Sequence, residues 1–210
     1  MDYRKEVCYY AHICEEKGLV NTIEGNISIL DRENGLLYIT PSRTRKLDLK
    51  EEDVAVLNFE TEEQISGKKA SSEYRLHKAA LLARPDCNAV VHSHATYLTA
   101  YAILGKSIKY DCVNLFKAVK GEVKCLPYGT AGTTHIADGI EEALDGRPVC
   151  LLGNHGAVSV GATLELAEGW MEALEATVKT VEIAKTIGET NPIPEWNQVL
   201  ADFAAAQKKK

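Results

Sequence analysis

A chain of 210 residues carrying a net charge of −6 suits one domain with a sizeable core, and its acidity argues against a nucleic-acid partner, which calls for a basic face. With 45% hydrophobic and 26% charged residues and no apolar run near the ~20 residues that cross a bilayer, the composition excludes a membrane span. The opening MDYRKEVCYY lacks the apolar stretch of a signal peptide, and six scattered cysteines without a C-x-x-C pair read as the reduced thiols of a cytoplasmic protein.

In DYRKEVCYYAHICEEKGL, Val7, Tyr10 and Cys14 recur at spacings of three and four, which predicts a helix ended by Gly18. GNISIL and GLLYIT are two short strands, with Asn34-Gly35 as the hairpin turn between them. DVAVLNF is a third strand. SSEYRLHKAALLARP is a helix that Ser72 can cap and Pro85 follows. NAVVH then reads as a strand and ATYLTAYAIL as a helix closed by Gly105.

Further on, EVKCLPY predicts a strand, TTHIADGIEEALDG a helix, and PVCLLGNHGAVSVG a strand, a tight turn and a second strand. The longest helix is expected over TLELAEGWMEALEATVKTVEIAKTI, with Leu166, Trp170, Leu174 and Val178 at spacing four. PEWNQVLADFAAAQ gives a closing helix, and residues 208–210 a flexible basic tail. Strands alternating with helices after an opening hairpin predict one α/β domain over residues 1–210, a mixed sheet covered by helices on both faces.

In VVHSHATYLTA, His92 and His94 lie two apart at a strand end and project from the same face. Two such imidazoles can reach one Zn²⁺ at about 2.0–2.1 Å. Alone, the pair also fits two hydrogen-bonded histidines at a strand end. A third, His155 in LLGNHGAVSV, falls at the break between two strand runs, where an open sheet gathers ligands. Three imidazoles leave one coordination position free, the pattern of a catalytic rather than a structural zinc.

Glu73 opens the helix after KKASS. A carboxylate there is favoured by the helix dipole alone; beside a metal it is a candidate resting ligand and general acid or base. His77, one turn on, is expected to pack and support the helix, and His12 and His135 have no companions. Ser71 and Ser72 at a helix start can hold a phosphate. Asn26, Ser42, Arg43 and Arg45 sit on turns that can add donors and positive charge.

GNISIL, YITPSR, KASSEYRLHKAALLARPDCNAVVHSHATYLTAYAIL and LLGNHGAV together resemble the class II aldolase/adducin family, which includes L-fuculose-1-phosphate aldolases and L-ribulose-5-phosphate 4-epimerases. The likeness runs from about Glu6 to about Thr186. It implies a three-layer α/β/α sandwich with a central, mostly antiparallel sheet, assembled as a homotetramer with active sites at subunit interfaces. It further implies one Zn²⁺ per chain on His92, His94 and His155, with Glu73 as catalytic carboxylate and resting ligand. Asn26, Ser42, Ser71 and Ser72 take phosphate-binding positions.

The implied reaction is retro-aldol cleavage of a ketose 1-phosphate, such as L-fuculose 1-phosphate or a 5-deoxypentulose 1-phosphate, to dihydroxyacetone phosphate and an aldehyde. Decarboxylation or 4-epimerisation of a related sugar phosphate, and a non-catalytic adducin-like interaction domain, are the alternatives. The chain departs from the pattern in three places. Arg43 stands where the phosphate loop usually has glycine, and can grip phosphate bidentately or select a carboxylate-bearing substrate. Val113, with Tyr110 close by, occupies the place of the tyrosine that protonates the aldolase leaving group. Lys117 lies near the place of the epimerase aspartate, and no tyrosine follows Tyr128.

Overall fold

The computed structural model describes residues 2–109, 118–191 and 196–207. Tyr110, Val113, Lys117, Cys112 and the tail at 208–210 lie outside the described residues.

Among the described residues, eight strands form one sheet in the order β4-β3-β2-β1-β5-β10-β9-β8. They are β1 (Asn26–Asp31), β2 (Leu36–Ile39), β3 (Ala55–Asn58), β4 (Gln64–Ser66), β5 (Ala89–Ser93), β8 (Cys125–Leu126), β9 (Val149–Leu152) and β10 (Gly156–Gly161). Every pairing is antiparallel except that of β8 with β9. A separate two-stranded ribbon joins β6 (Ile108–Lys109) to β7 (Glu122–Val123).

Side chains alternate across the central strands, and each face meets its own helices. Ile27, Ile29, Ala89, Val91, Leu151 and Ala157 pack against α1 (Tyr3–Glu16), α3 (Thr96–Ile103) and α5 (Leu164–Ile187). On the opposite face, Leu30, Val90, Cys150, Leu152, Val158 and Val160 pack against α2 (Tyr74–Ala83) and α4 (Ile140–Leu144). The molecule is therefore the expected three-layer α/β/α sandwich with a mostly antiparallel sheet. Each fully buried leucine, isoleucine or valine contributes about 1.5–3 kcal/mol, so both faces are needed to hold the sheet. A last helix, α6 (Trp196–Gln207), follows. No helix among the described residues is long and apolar enough to cross a membrane.

Several local expectations need correction. The helix expected over TTHIADGIEEALDG is split: a 3-10 turn covers Thr134–Ala137, and α4 starts only after Gly139, whose φ of 84° breaks the spiral. The EVKCLPY strand divides at Lys124 into β7 and β8, which join different partners. In α5 the buried stripe is Leu164, Ala167, Met171, Leu174 and Val178, alternating spacings of three and four. Leu166, which a spacing of four had included, is 47% exposed; a strict period of four drifts off a face that turns every 3.6 residues. The short edge strand β4 was not expected at all.

The hairpin loop spans Arg32–Gly35 rather than two residues. The Asp31 carboxylate accepts from the N–H groups of Glu33 and Asn34, and Gly35 supplies a φ of 65°. None of the five described cysteines is bonded to another.

Candidate active site

Strand register creates the site. Asn26 of β1 lies opposite His92 of β5, which in turn lies opposite Val158 of β10, so all three point to the face covered by α2. His94 follows the end of β5 and turns into α3. The hydroxyl of Ser93 fixes that exit, accepting from the Ala95 N–H and donating to the Leu19 carbonyl.

His155 is delivered by the β9–β10 turn. Asn154 adopts a φ of 57° there, and its N–H donates to the Ala102 carbonyl, tying the turn to α3. Gly156 lets β10 approach closely: a Cβ at this position would stand 2.4 Å from the Ser93 carbonyl oxygen. Asn for the left-handed position and Gly for the close approach explain the N-H-G run physically.

The three imidazoles converge. Ring centroids of His92, His94 and His155 are 4.8–4.9 Å apart, and one nitrogen from each lies within 4.8 Å of the others. Glu73 reaches into the same space, with Oε1 3.2 Å from His155 Nε2 and Oε2 3.4 Å from His92 Nε2. The tautomer of His92 follows from its neighbour: Nδ1–H donates to the Ala157 carbonyl at 3.0 Å, leaving a bare lone pair on Nε2. That lone pair faces His94 Nε2 at 3.1 Å as well as the carboxylate. Three imidazole nitrogens and a carboxylate gathered this closely, with a bare lone pair among them, are the donor set of a divalent ion. No cysteine among the described residues belongs to the group.

Electrostatics point the same way. Burial pushes His92 down to about 4, with Glu73 opposing, and burial also lowers His94. Both rings thus stay neutral, the form that ligates metal. Burial works against ionised Glu73, but the His155 hydrogen bond, the electrostatics of His92 and the Asn26 amide outweigh it and hold the carboxyl well below the usual range.

Beside this cluster a pocket of about 390 Å³ is lined by Glu24, Asn26, Ser42, Arg43, Ser71, Ser72, Glu73, His94 and His155, with Lys46 at its base. Two loops are laced together to form it: Pro41 bridges Ala70, Ser42 N–H donates to the Lys69 carbonyl, and Ser71 N–H to that of Thr40. Ser72 does not cap α2. Glu73 holds the cap position and its N–H donates to the Ser71 hydroxyl at 3.3 Å, which leaves Ser72 exposed at the pocket. Asn26 donates from Nδ2 to Glu73 Oε2 at 2.7 Å. Arg43 is exposed at a φ of 55°, the left-handed backbone that glycine adopts without cost. His12 bonds the Leu49 carbonyl, and exposed His135 pairs with Asp138; neither joins the cluster. A wider surface groove between α2 and α4 contains none of these residues.

Lys46 went unnoticed in the sequence. It is buried, its pKa lowered by that burial, and its ammonium donates to the carbonyls of Asn21 and Glu24 at 3.1 Å each, bracing the loop before Asn26. Within RTRKLDLK it looks like any other solvated charge.

The buried histidines imply an acid limit. His77 is pushed down to about 3 by burial, and His92 to about 4, whereas both titrate near 6.5 in the unfolded chain. The unfolded state therefore gains protons first as pH falls. Stability is full above about 6.5 and is lost toward the folded values, by about 1.4 kcal/mol per pH unit for each ring. Urea midpoints of metal-free protein are expected to drop clearly between pH 7 and pH 5, with His77→Gln flattening the slope. A flat profile over that window would contradict the buried neutral state.

The family follows from this fold and site taken with direct comparison. The model of the class II aldolase and adducin N-terminal domain family matches residues 5–181, and the chain belongs to that family. It is 35% identical over 193 residues, covering 91% of this chain and 90% of the relative, to 5-deoxy-D-ribulose 1-phosphate aldolase of Bacillus thuringiensis serovar kurstaki. It is also 35% identical over 177 residues, covering 84% and 80%, to L-fuculose phosphate aldolase of Escherichia coli K12. A solved L-fuculose 1-phosphate aldolase superposes with a TM-score of 0.85 at 30% identity, covering 95% of this chain and 93% of that one.

Proposed function

We propose that this protein is a metal-dependent aldehyde-lyase that cleaves a ketose 1-phosphate, with a 5-deoxypentulose 1-phosphate or L-fuculose 1-phosphate as substrate, to dihydroxyacetone phosphate and an aldehyde. One observation carries the reading: His92, His94, His155 and Glu73 converge at the wall of a pocket lined by Ser42, Ser71 and Ser72. Relatives named as aldolases of such sugars support it.

His92, His94 and His155 hold one Zn²⁺ per chain, with Glu73 as a further resting ligand. The ion supplies a Lewis acid for the charge that collects on the substrate's carbonyl and hydroxyl oxygens as C3–C4 breaks. Glu73 then returns a proton to C3, and in the reverse direction removes it from dihydroxyacetone phosphate. Ser71 and Ser72 offer hydroxyls to the phosphate; the Ser42 hydroxyl, which donates to the Ala70 carbonyl at 2.9 Å, turns to join them, and Asn26 lines the same pocket. Arg43 adds a guanidinium, for which no ion-pair partner is present among the described residues, and holds the phosphate through charge-assisted hydrogen bonds.

The protein acts in the cytoplasm as a homotetramer with its sites at subunit interfaces. Exposed Ile103, Leu104 and Tyr128 near the turn that carries His155 support this, since apolar side chains beside a polar pocket are suited to cover by another copy. The group that takes the C4 hydroxyl proton as the aldehyde leaves, and gives it back in the condensation direction, then comes from a neighbouring chain.

The test incubates zinc-loaded protein with a panel of ketose 1-phosphates and assays dihydroxyacetone phosphate. Release from at least one 5-deoxypentulose or L-fuculose 1-phosphate is expected. No release, or carbon dioxide from a 3-oxo acid phosphate instead, would overturn the reading. On the cleaved substrate, Arg43→Gly should raise KM about ten- to hundredfold, the worth of one or two charge-assisted bonds, and leave kcat within about threefold. Unchanged kinetics would make Arg43 a bystander.

A further inference from the structure

Behind Glu73 lies a chain of polar side chains that the proposed reaction does not use. His77 projects from α2 between the helix and β1 and is fully buried. Its Nε2 lies 2.5 Å from Asn26 Oδ1, and its Nδ1 lies 2.6 Å from the hydroxyl of Ser28, also fully buried. Asn26 and Ser28 sit two apart on β1 and share the face that α2 covers. With the Asn26–Glu73 bond, four side chains form one line: Ser28, His77, Asn26, Glu73.

The direction of every bond in that line is dictated by its end. An ionised carboxylate can only accept. Asn26 must therefore turn its NH₂ to Glu73 and its oxygen to His77. That oxygen demands a donor, so the single proton of a neutral imidazole sits on Nε2. Nδ1 is then bare, and Ser28 donates to it. Reversing any member leaves two acceptors or two donors facing each other in a dry interior, at about 1–3 kcal/mol for each unmet group.

We infer that His77 is a positioning residue for Glu73: through Asn26 it fixes the amide donor that holds the carboxylate at the histidine cluster. This rests on the role proposed for Glu73 above. His77 touches neither the pocket nor the cluster's ligand nitrogens, and acts only through the Asn26 carboxamide. Without its Nε2–H the carboxamide loses the contact that selects its orientation. A rotated amide would present its oxygen to the carboxylate and push Glu73 away.

The test uses the full-length protein with His77→Leu, which removes the donor, and His77→Gln, whose side-chain amide can place an N–H near the lost Nε2. Zinc affinity of the metal-free protein is one readout, and kcat with KM on the cleaved ketose 1-phosphate is the other. His77→Leu is expected to weaken zinc binding and lower kcat, each about ten- to hundredfold, with KM within about threefold; His77→Gln should recover most of both. Leu at wild-type levels in both readouts, or Gln impaired as severely as Leu, would overturn the inference, the second outcome marking a purely packing role.

Should His77→Leu fail to fold, nitrogen-15 histidine spectra of the wild-type protein decide: an Nε2–H tautomer for His77 supports the line, and an Nδ1–H tautomer overturns it. A wild-type protein that cleaves no ketose yet shows the zinc pattern would sink the catalytic reading alone.

Discussion

Glu73→Gln is expected to bind zinc at close to one ion per chain and to lose turnover by about a thousandfold, within the range that positioned proton transfer supplies. Glutamine keeps the length of the side chain and one oxygen for the cluster, so the three imidazoles retain their ion. It cannot carry a proton to and from carbon. The carboxyl is suited to that task by its place: mostly buried, within 3.4 Å of two histidines, and held ionised by the His155 and Asn26 contacts against the cost of burial. Metal analysis alongside steady-state kinetics checks both halves. Intact activity would remove Glu73 from the proton-transfer role, and loss of the metal would make it chiefly a ligand.

His155→Ala is the second large effect. Its ring is 15% exposed and belongs to a surface turn, so its removal spares the core, unlike that of wholly buried His92. Two imidazoles and a carboxylate hold a divalent ion far less firmly than three and a carboxylate. Zinc content after dialysis is expected to fall from about one per chain to below about a tenth, with activity falling in proportion. His135→Ala, which removes an exposed ring outside the cluster, should leave both unchanged. Equal zinc in His155→Ala and wild type would place the ion elsewhere.

Much of this was legible because it depends on local pattern. His92 and His94 converge as the H-x-H spacing at a strand end suggests, although His94 lies just past β5, and GNHG announces a turn since asparagine and glycine tolerate what the backbone does there. The apolar runs of β1, β5, β9 and β10 are strands buried on both sides, and their hydrophobic continuity shows it. What stayed hidden is non-local. Lys46 is buried only because the chain at Asn21–Glu24 folds over it. The Asn26 and His77 contact joins residues 51 apart in sequence, and nothing near either residue announces it; Asn26 looked like a phosphate donor alone.

Other misses have local causes. All three residues of β4 are exposed, so no alternation marks them, and the strand exists because β3 offers an open edge. Gly139 sits inside a helix-like pattern whose apolar spacing outweighs one glycine on paper, while its left-handed φ ends the turn in the folded chain. The stripe of α5 was misjudged by one residue because Leu166 is apolar yet faces solvent, as single leucines often do.

Everything proposed for this enzyme depends on one divalent cation shared by His92, His94 and His155. X-ray absorption at the zinc edge of the loaded protein addresses that directly. Three imidazole nitrogens at about 2.0–2.1 Å are expected, with a carboxylate oxygen at similar range. A shell containing sulfur at about 2.3 Å, or one with fewer than three imidazoles, would contradict it.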